Sequence, residues 1–261
     1  SAKDELPREW FVDRALIERA PHLLAVSTYG AGFDTVDLAA CTAAGIAVVN
    51  QAGGNAAAVA EHTFGFMIGL AKRIIECDRR LRRGERFTRE EAMGTDLAGR
   101  TLGLVGIGHV GRRVAALGKA FGMNVIATDP NVARDEIVRR GARAVSFSAL
   151  LGEADIVSVH CPLDATTRGM FDARAFASMR RGALFISTAR GGIHDEDALH
   201  AALIGGHLGG AGLDVWGHEP PPPTHPLLAL DNVFVSHHIA GVTRGARRNL
   251  ATIAAEQICA I

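Results

Sequence analysis

The sequence predicts an α/β fold, a mostly parallel sheet with helices on both faces, and three observations predict it. From Thr101 onward, short apolar runs alternate with helix-forming stretches, the pattern of βαβ units whose strands are buried on both sides. The 261 residues include 30 glycines and only 5% aromatics, which suits many tight strand–helix turns better than an all-β sandwich. With 48% apolar residues, the chain can bury a sizeable core as one large domain or two smaller ones.

Taken in order, residues 23–27 are an apolar run that opens into Tyr29-Gly30-Ala31-Gly32, a buried strand ending in a loop. Asp34 is placed to cap a short helix toward Ala43, ended by Gly45. Residues 46–49 form a second apolar strand. Residues 55–83 hold no proline and read as one long helical stretch. Its first half, 56–70, is apolar nearly all round and is expected to be buried against a partner subunit. Strands follow at 101–105, 124–128, 156–159, 184–187, 210–213 and 233–235, with a helix over 109–121 and further helical stretches between the later strands. The one proline tract, 220–223, suggests by composition only a stiff linker.

Charge and cysteine usage exclude several classes. Lys+Arg and Asp+Glu balance at 28 each, which argues against electrostatic capture of nucleic acid or a membrane surface. The cluster Arg79, Arg80, Arg82 and Arg83 reads as a solvated helix C-terminus. Four cysteines without a C-x-x-C pair fit a reducing, cytoplasmic compartment. No apolar run reaches the roughly 18 residues of a membrane helix, and no secretory pattern opens the sequence.

Gly106-Ile107-Gly108-His109-Val110-Gly111 is a G-x-G-x-x-G string between a predicted strand and a predicted helix, the context in which it signals dinucleotide binding. The first glycine permits the tight turn, the second lets backbone approach a pyrophosphate, and the third lets the helix pack closely. The helix N-terminus attracts the phosphates. Asp129 ends the next strand, where a carboxylate accepts ribose hydroxyls and repels a 2′-phosphate. NAD is therefore expected over NADP.

Three further segments carry chemistry. Arg190, in Ser187-Thr188-Ala189-Arg190-Gly191-Gly192, follows a strand and can grip a carboxylate through two parallel hydrogen bonds. Glu219 ends the run 213–219, and His238 follows the last strand. A carboxylate beside an imidazole raises its pKa and suits it to proton transfer.

These pieces resemble the D-isomer-specific 2-hydroxyacid dehydrogenase family. The matching segments are Gly30 to Asp34, Asn55 through His62, Gly106 to Gly111, His160-Cys161-Pro162-Leu163, Thr188 to Gly192, Asp214 to Pro220, His225-Pro226-Leu227 and His238 to Gly241, in the family's order. The resemblance implies a Rossmann-type nucleotide-binding domain over 55–241. It also implies a smaller flavodoxin-like substrate domain, incomplete here, formed by 1–54 and a C-terminal helix within 242–261. It implies hydride transfer between NAD and C2 of a small D-2-hydroxy or 2-oxo acid, with Arg190, Glu219 and His238 as the catalytic trio. Cofactor contacts are expected from Gly106, Gly108, His109, Val110, Gly111, Asp129, Cys161, Pro162, Thr167, Thr188, Ala189, Arg190, Asp214, His238 and Gly241. Substrate contacts are expected from Gly30, Ala31, Gly32, Arg190 and His238, and a homodimer through the helix after Asn55.

Departures bear on the substrate. Thr28 stands where relatives acting on 3-phosphoglycerate tend to carry an arginine, which counts against a phosphorylated acid. Glu219 stands where formate dehydrogenases carry an amide, which counts against formate. His237 is expected to be structural. Glyoxylate or hydroxypyruvate is the expected substrate. A metal-dependent hydrolase, suggested by eleven histidines, lacks H-E-x-x-H, and His218-Glu219 runs into four prolines. No metal is expected. The remaining alternative is an NAD-binding regulator or corepressor of the same fold, with little turnover.

Overall fold

The structure, a computed structural model, describes residues 6–260. In chain order its elements are α1 (Arg14–Arg19), β1 (Ala25–Ser27), α2 (Leu38–Ala43), β2 (Ala47–Val49), α3 (Ala56–Ala71), α4 (Ile74–Arg82), β3 (Thr101–Val105), α5 (Gly111–Ala120), β4 (Asn124–Thr128), α6 (Arg134–Arg139), β5 (Arg143–Ala144), α7 (Phe147–Glu153), β6 (Ile156–Val159), α8 (Ala173–Ser178), β7 (Leu184–Ser187), α9 (Glu196–Ile204), β8 (Gly210–Leu213), β9 (Val233–Val235) and α10 (Arg244–Cys259). They fall into two compact units, Ser1–Ala58 with Gly241–Ile261, and Val59–Ala240. These units meet in the chain at 58/59 and 240/241. Within the first unit Gly241 packs directly on Asn55, where an added Cβ would meet the Asn55 amide at 2.5 Å.

The larger unit is a seven-stranded, wholly parallel sheet in the order β5-β4-β3-β6-β7-β8-β9. The chain winds outward from β3 through β4 to β5, then crosses back to β6 on the other side of β3. That reversal opens a crevice beyond the carboxyl ends of β3 and β6, where doubly wound sheets bind ligands. Alternating strand residues feed two separate cores. Val105, Val157, Val159, Phe185, Leu213 and Val233 pack on one face. Leu102, Leu104, Val125, Ala127, Ile156 and Ile186 pack on the other. The two-residue strand β5, too short for an apolar run, is not apparent from the sequence.

The expected single helix over 55–83 is broken. α3 ends at Ala71 because the loop at Thr95 donates its N–H to the Ala71 carbonyl at 2.7 Å. Arg73 then turns left-handed (φ 53°) before α4 begins. Most of the apolar surface of α3 is buried within the chain itself, including Phe64, Phe66 and Met67, while Ala57, Glu61 and Gly65 are exposed.

In the smaller unit β1 and β2 pair in parallel, Ala25 opposite Ala47. Gln51, fully buried, ties the glycine turn down. Its side-chain Oε1 accepts from Gly30 N–H at 2.8 Å, and its own N–H donates to the Gly30 carbonyl at 2.9 Å. Gly30 sits at φ 121°, a conformation open to glycine and strained for other residues. Its N–H, expected to face a substrate carboxylate, is thus committed to Gln51. The last helix, α10, is capped by Thr243, and its Gln257 amide donates to the Asn50 carbonyl at 2.9 Å.

Candidate active site

The glycine turn leaves β3 at Gly106, which has φ 93°. A Cβ on Gly111 would lie 2.3 Å from the Gly106 carbonyl oxygen, so only glycine lets α5 start this close to the strand. No side chain caps α5 at Val110, whereas Ser146, Asp172 and Asp195 cap α7, α8 and α9. The Arg112 and Arg113 N–H groups are taken by the Gly108 and Val110 carbonyls, and the positive end of the helix dipole at this glycine turn favours an anion. His109 is exposed beside Arg112. Asp129, at the end of β4, spends one lone pair of each oxygen on the turn, accepting from Ile107 N–H at 2.9 Å and Asn131 N–H at 3.0 Å. Each carboxylate oxygen keeps a further acceptor site for a ribose hydroxyl. These features fit a dinucleotide.

Cys161 and Pro162 follow β6. Burial pushes the Cys161 thiol up to about 11, so it is a neutral wall rather than a nucleophile. Thr167 closes the same loop, its hydroxyl donating to the Pro162 carbonyl at 2.7 Å. After β7, the Thr188 hydroxyl lies 3.1 Å from that of Thr63. Thr63 donates to Val59, so Thr188 is the donor in this pair. Arg190 follows, with Nη1 donating to the Ala189 carbonyl at 2.7 Å.

After β8 and β9 the structure brings Glu219 and His238 together. His238 Nδ1 lies 2.7 Å from Glu219 Oε2, and Glu219 Oε1 accepts from Trp216 N–H at 3.0 Å. The hydrogen bond to Glu219 raises the His238 pKa. Burial opposes this, the Glu219 charge adds to it, Arg190 lowers it and Asp214 raises it. Burial alone would push the Glu219 carboxyl up. The His238 hydrogen bond and charge, the Trp216 N–H and the Arg190 charge outweigh burial and hold it below its usual range. Arg190 is thus near enough to act on both. With Nδ1 occupied, the proton such a pair can exchange is the one on Nε2.

Asp214 builds the turn that presents His238. Its carbonyl accepts from His238 N–H at 2.7 Å. Its fully buried carboxylate accepts from Ser236 Oγ at 2.5 Å, Ile239 N–H at 2.9 Å and Ala240 N–H at 2.9 Å. His62 Nε2 donates to Ser236 at 2.9 Å, because the Ser236 hydroxyl proton is already spent on Asp214. His62 and Ser236 have no part in the site as read from sequence, and nothing in their spacing points to it. His237 is exposed. Gly30, Ala31, Gly32 and Gly241 belong to the smaller unit. Among the described residues no group of three or more His, Cys, Asp or Glu is placed to hold a metal, and no helix is long and apolar enough to cross a membrane.

A parallel sheet with a glycine turn after one central strand and an Arg, Glu and His after three others is the architecture of a dinucleotide-binding domain. Residues 64–240 match the family model described as the NAD binding domain of D-isomer specific 2-hydroxyacid dehydrogenase, and the chain belongs to that family. It is 41% identical over 247 residues to a D-3-phosphoglycerate dehydrogenase of Archaeoglobus fulgidus, covering 95% of this chain and 47% of that protein. It is 38% identical over 255 residues to a glyoxylate reductase of Aeropyrum pernix, covering 95% and 76%. The solved structure of Aquifex aeolicus D-lactate dehydrogenase, complexed with NAD and lactic acid, superposes with a TM-score of 0.86 at 29% identity, covering 99% of this chain and 86% of that one. The chain thus spans about half the length of the phosphoglycerate dehydrogenase relative and three quarters of the glyoxylate reductase.

Proposed function

We propose that this chain belongs to an NAD-dependent oxidoreductase that interconverts a small D-2-hydroxy acid and its 2-oxo acid. The observation that carries the reading is the 2.7 Å bond between His238 and Glu219, beside Arg190, at the same end of the sheet as the uncapped glycine turn. Bound NAD would supply or accept the hydride. The residues that would hold it are Gly106, Gly108 and Gly111 at the pyrophosphate and Asp129 at the adenosine ribose. Asp129, with no arginine at the two positions after it, supports NAD over NADP. Arg190 grips the substrate carboxylate through its two parallel donors. In reduction His238 Nε2 gives its proton to the carbonyl oxygen at C2, and in oxidation it takes the hydroxyl proton. Glu219 holds the imidazole in one tautomer and stabilises its cation.

Glyoxylate and hydroxypyruvate head the substrates to test, with 3-phosphoglycerate disfavoured by Thr28. The reading includes a reducing compartment such as the cytoplasm, supported by four unpaired cysteines. It also includes a homodimer. A second copy would cover apolar surface such as Leu81 (66% exposed), Met93 (63%) and Phe121 (43%), and light scattering of the full protein tests it, a monomer refuting it. A regulator without turnover is disfavoured, since the trio is complete and the relatives bear dehydrogenase and reductase names. The deciding experiment follows loss of NADH absorbance with glyoxylate, hydroxypyruvate, pyruvate and phenylpyruvate in turn. Saturable turnover of one or more is expected, and none with any 2-oxo acid overturns the enzyme reading.

A further inference from the structure

The loop between β8 and the last strand carries Glu219, and its proline tract limits the backbone donors with which it can hold itself. Pro220, Pro221, Pro222 and Pro223 have no N–H, so four consecutive residues offer no backbone donor. One carboxylate on another element meets both ends of this loop. Glu196, in the first turn of α9, accepts from Gly217 N–H at 2.7 Å through Oε1. Its Oε2 lies 3.1 Å from His225 Nε2. His225 Nδ1 accepts from Leu227 N–H, which leaves the proton on Nε2 to be donated to Glu196. Both side chains are largely shielded, 21% and 15% exposed, so the bond is not surface decoration. The His225 ring packs edge-on against Trp216 at 5.3 Å. Trp216 in turn donates its N–H to Glu219 and its indole N–H to the Ser236 carbonyl at 3.1 Å.

We propose that Glu196 is a positioning residue for the acid–base pair, clasping Gly217 and His225 so that the proline loop holds Glu219 against His238. The proposal rests on the reading of Glu219 and His238 as the proton-transfer pair. Glu196 itself touches no reacting atom. Its role is to keep a 2.7 Å contact from slackening, and displacements of about 1 Å in such contacts cost on the order of a hundredfold in rate.

The test uses the whole protein with Glu196→Ala and His225→Asn. The shorter amide introduced by His225→Asn can still accept from Leu227 N–H but does not reach Glu196. Three quantities are measured: NADH affinity by fluorescence, kcat with the best 2-oxo acid across pH, and the His238 imidazole titration by NMR. The charged groups acting on His238 are Glu219, Arg190 and Asp214, and none is altered. Expected are NADH affinity unchanged within about twofold, kcat lower by about ten- to hundredfold, and the His238 titration and the alkaline limb of reduction moved together to lower pH. Glu196→Gln, which still accepts from Gly217, recovers part of the loss. The double variant is no worse than Glu196→Ala alone, because both break one clasp. A folded Glu196→Ala protein with the His238 titration unmoved overturns the proposal, as does additive loss in the double variant. If Glu196→Ala does not fold, an unmoved titration in His225→Asn overturns it equally. Wild-type protein without turnover would instead refute the hydride-transfer reading, and the NMR titration would still decide the clasp.

Discussion

Replacing Glu219 by Gln removes one charge and leaves the shape. The amide carbonyl in the Glu219→Gln variant can still accept from His238 Nδ1, so the ring keeps its orientation, and what is lost is the anion beside the imidazolium together with the acceptor for Trp216 N–H. A hydrogen bond between charged partners contributes roughly 1.5–3 kcal/mol, about ten- to hundredfold in rate if it is needed in the transition state. The folded environment raises the His238 pKa, chiefly through the Glu219 bond. On the proposed mechanism the protonated ring is the active form in reduction, so the rate falls as pH rises through that raised pKa. In oxidation the neutral ring is active, and the rate rises through it. Glu219→Gln should therefore move both limbs to lower pH. At neutral pH it should depress reduction about ten- to hundredfold, with much of the loss regained on acidification. Steady-state kcat/KM for both directions across pH, with NADH binding as control, reads this out. A rate loss uniform in pH, with neither limb displaced, would refute the argument that Glu219 acts by stabilising the cation.

Arg190→Lys keeps the charge but loses the planar fork. The KM for the 2-oxo acid should rise and kcat/KM fall by about a hundredfold, while NADH affinity measured by fluorescence stays put. Asp129→Asn keeps acceptance from Ile107 but removes the charge that repels a 2′-phosphate, and the NADH-to-NADPH ratio of kcat/KM should fall at least about tenfold. His194 is buried against Phe185, with neither ring nitrogen in reach of a protein partner, and burial pushes its pKa down to about 4. Between roughly pH 6.5 and 4 the unfolded chain takes up a proton that the folded chain refuses, so stability falls on acidification by up to ~3 kcal/mol. His194→Leu should remove that dependence and add about 1–3 kcal/mol at neutral pH by urea denaturation; a less stable variant would show that the ring is satisfied.

What was legible followed from local rules. The strands 101–105, 124–128, 156–159, 184–187 and 210–213 are apolar runs between turn signals, and each is a strand in the structure with those same bounds. The glycine turn was legible because its requirements are steric and local. The break at Arg73 was not, because it depends on Thr95, a residue from a distant loop, reaching the end of α3. Nor was Ser236, whose role comes from facing Asp214 across neighbouring strands. The commitment of Gly30 to Gln51 escaped for the same reason: their partnership is made by the β1–β2 pairing, and a glycine loop read alone shows only what its N–H groups could do. Arg190, Glu219 and His238 stood out only as a set, since each taken singly is an ordinary strand-end residue.

The turn that carries His238 shows how stability elsewhere maintains a strained local geometry. His238 has φ 46°, a left-handed conformation that costs a non-glycine residue roughly 1–2 kcal/mol. Histidine visits that region more often than most residues, yet the conformation still costs free energy. It persists because Asp214, buried at the end of β8, accepts from His238, Ile239 and Ala240 backbone N–H groups and the Ser236 hydroxyl. A chain in ordinary extended conformation at 238 would not bring His238 N–H to the Asp214 backbone carbonyl and the other three donors to its carboxylate. Each bond to the charged oxygens contributes about 1.5–3 kcal/mol, so the set outweighs the strain several times over. The same carboxylate would be costly if its donors were removed, since a buried charge left unsatisfied is more expensive than the pair it replaces. Asp214 and the left-handed turn therefore require each other. The imidazole is directed by a folded loop whose alternatives all strand a buried anion, which is a firmer constraint than the His238–Glu219 contact could impose alone.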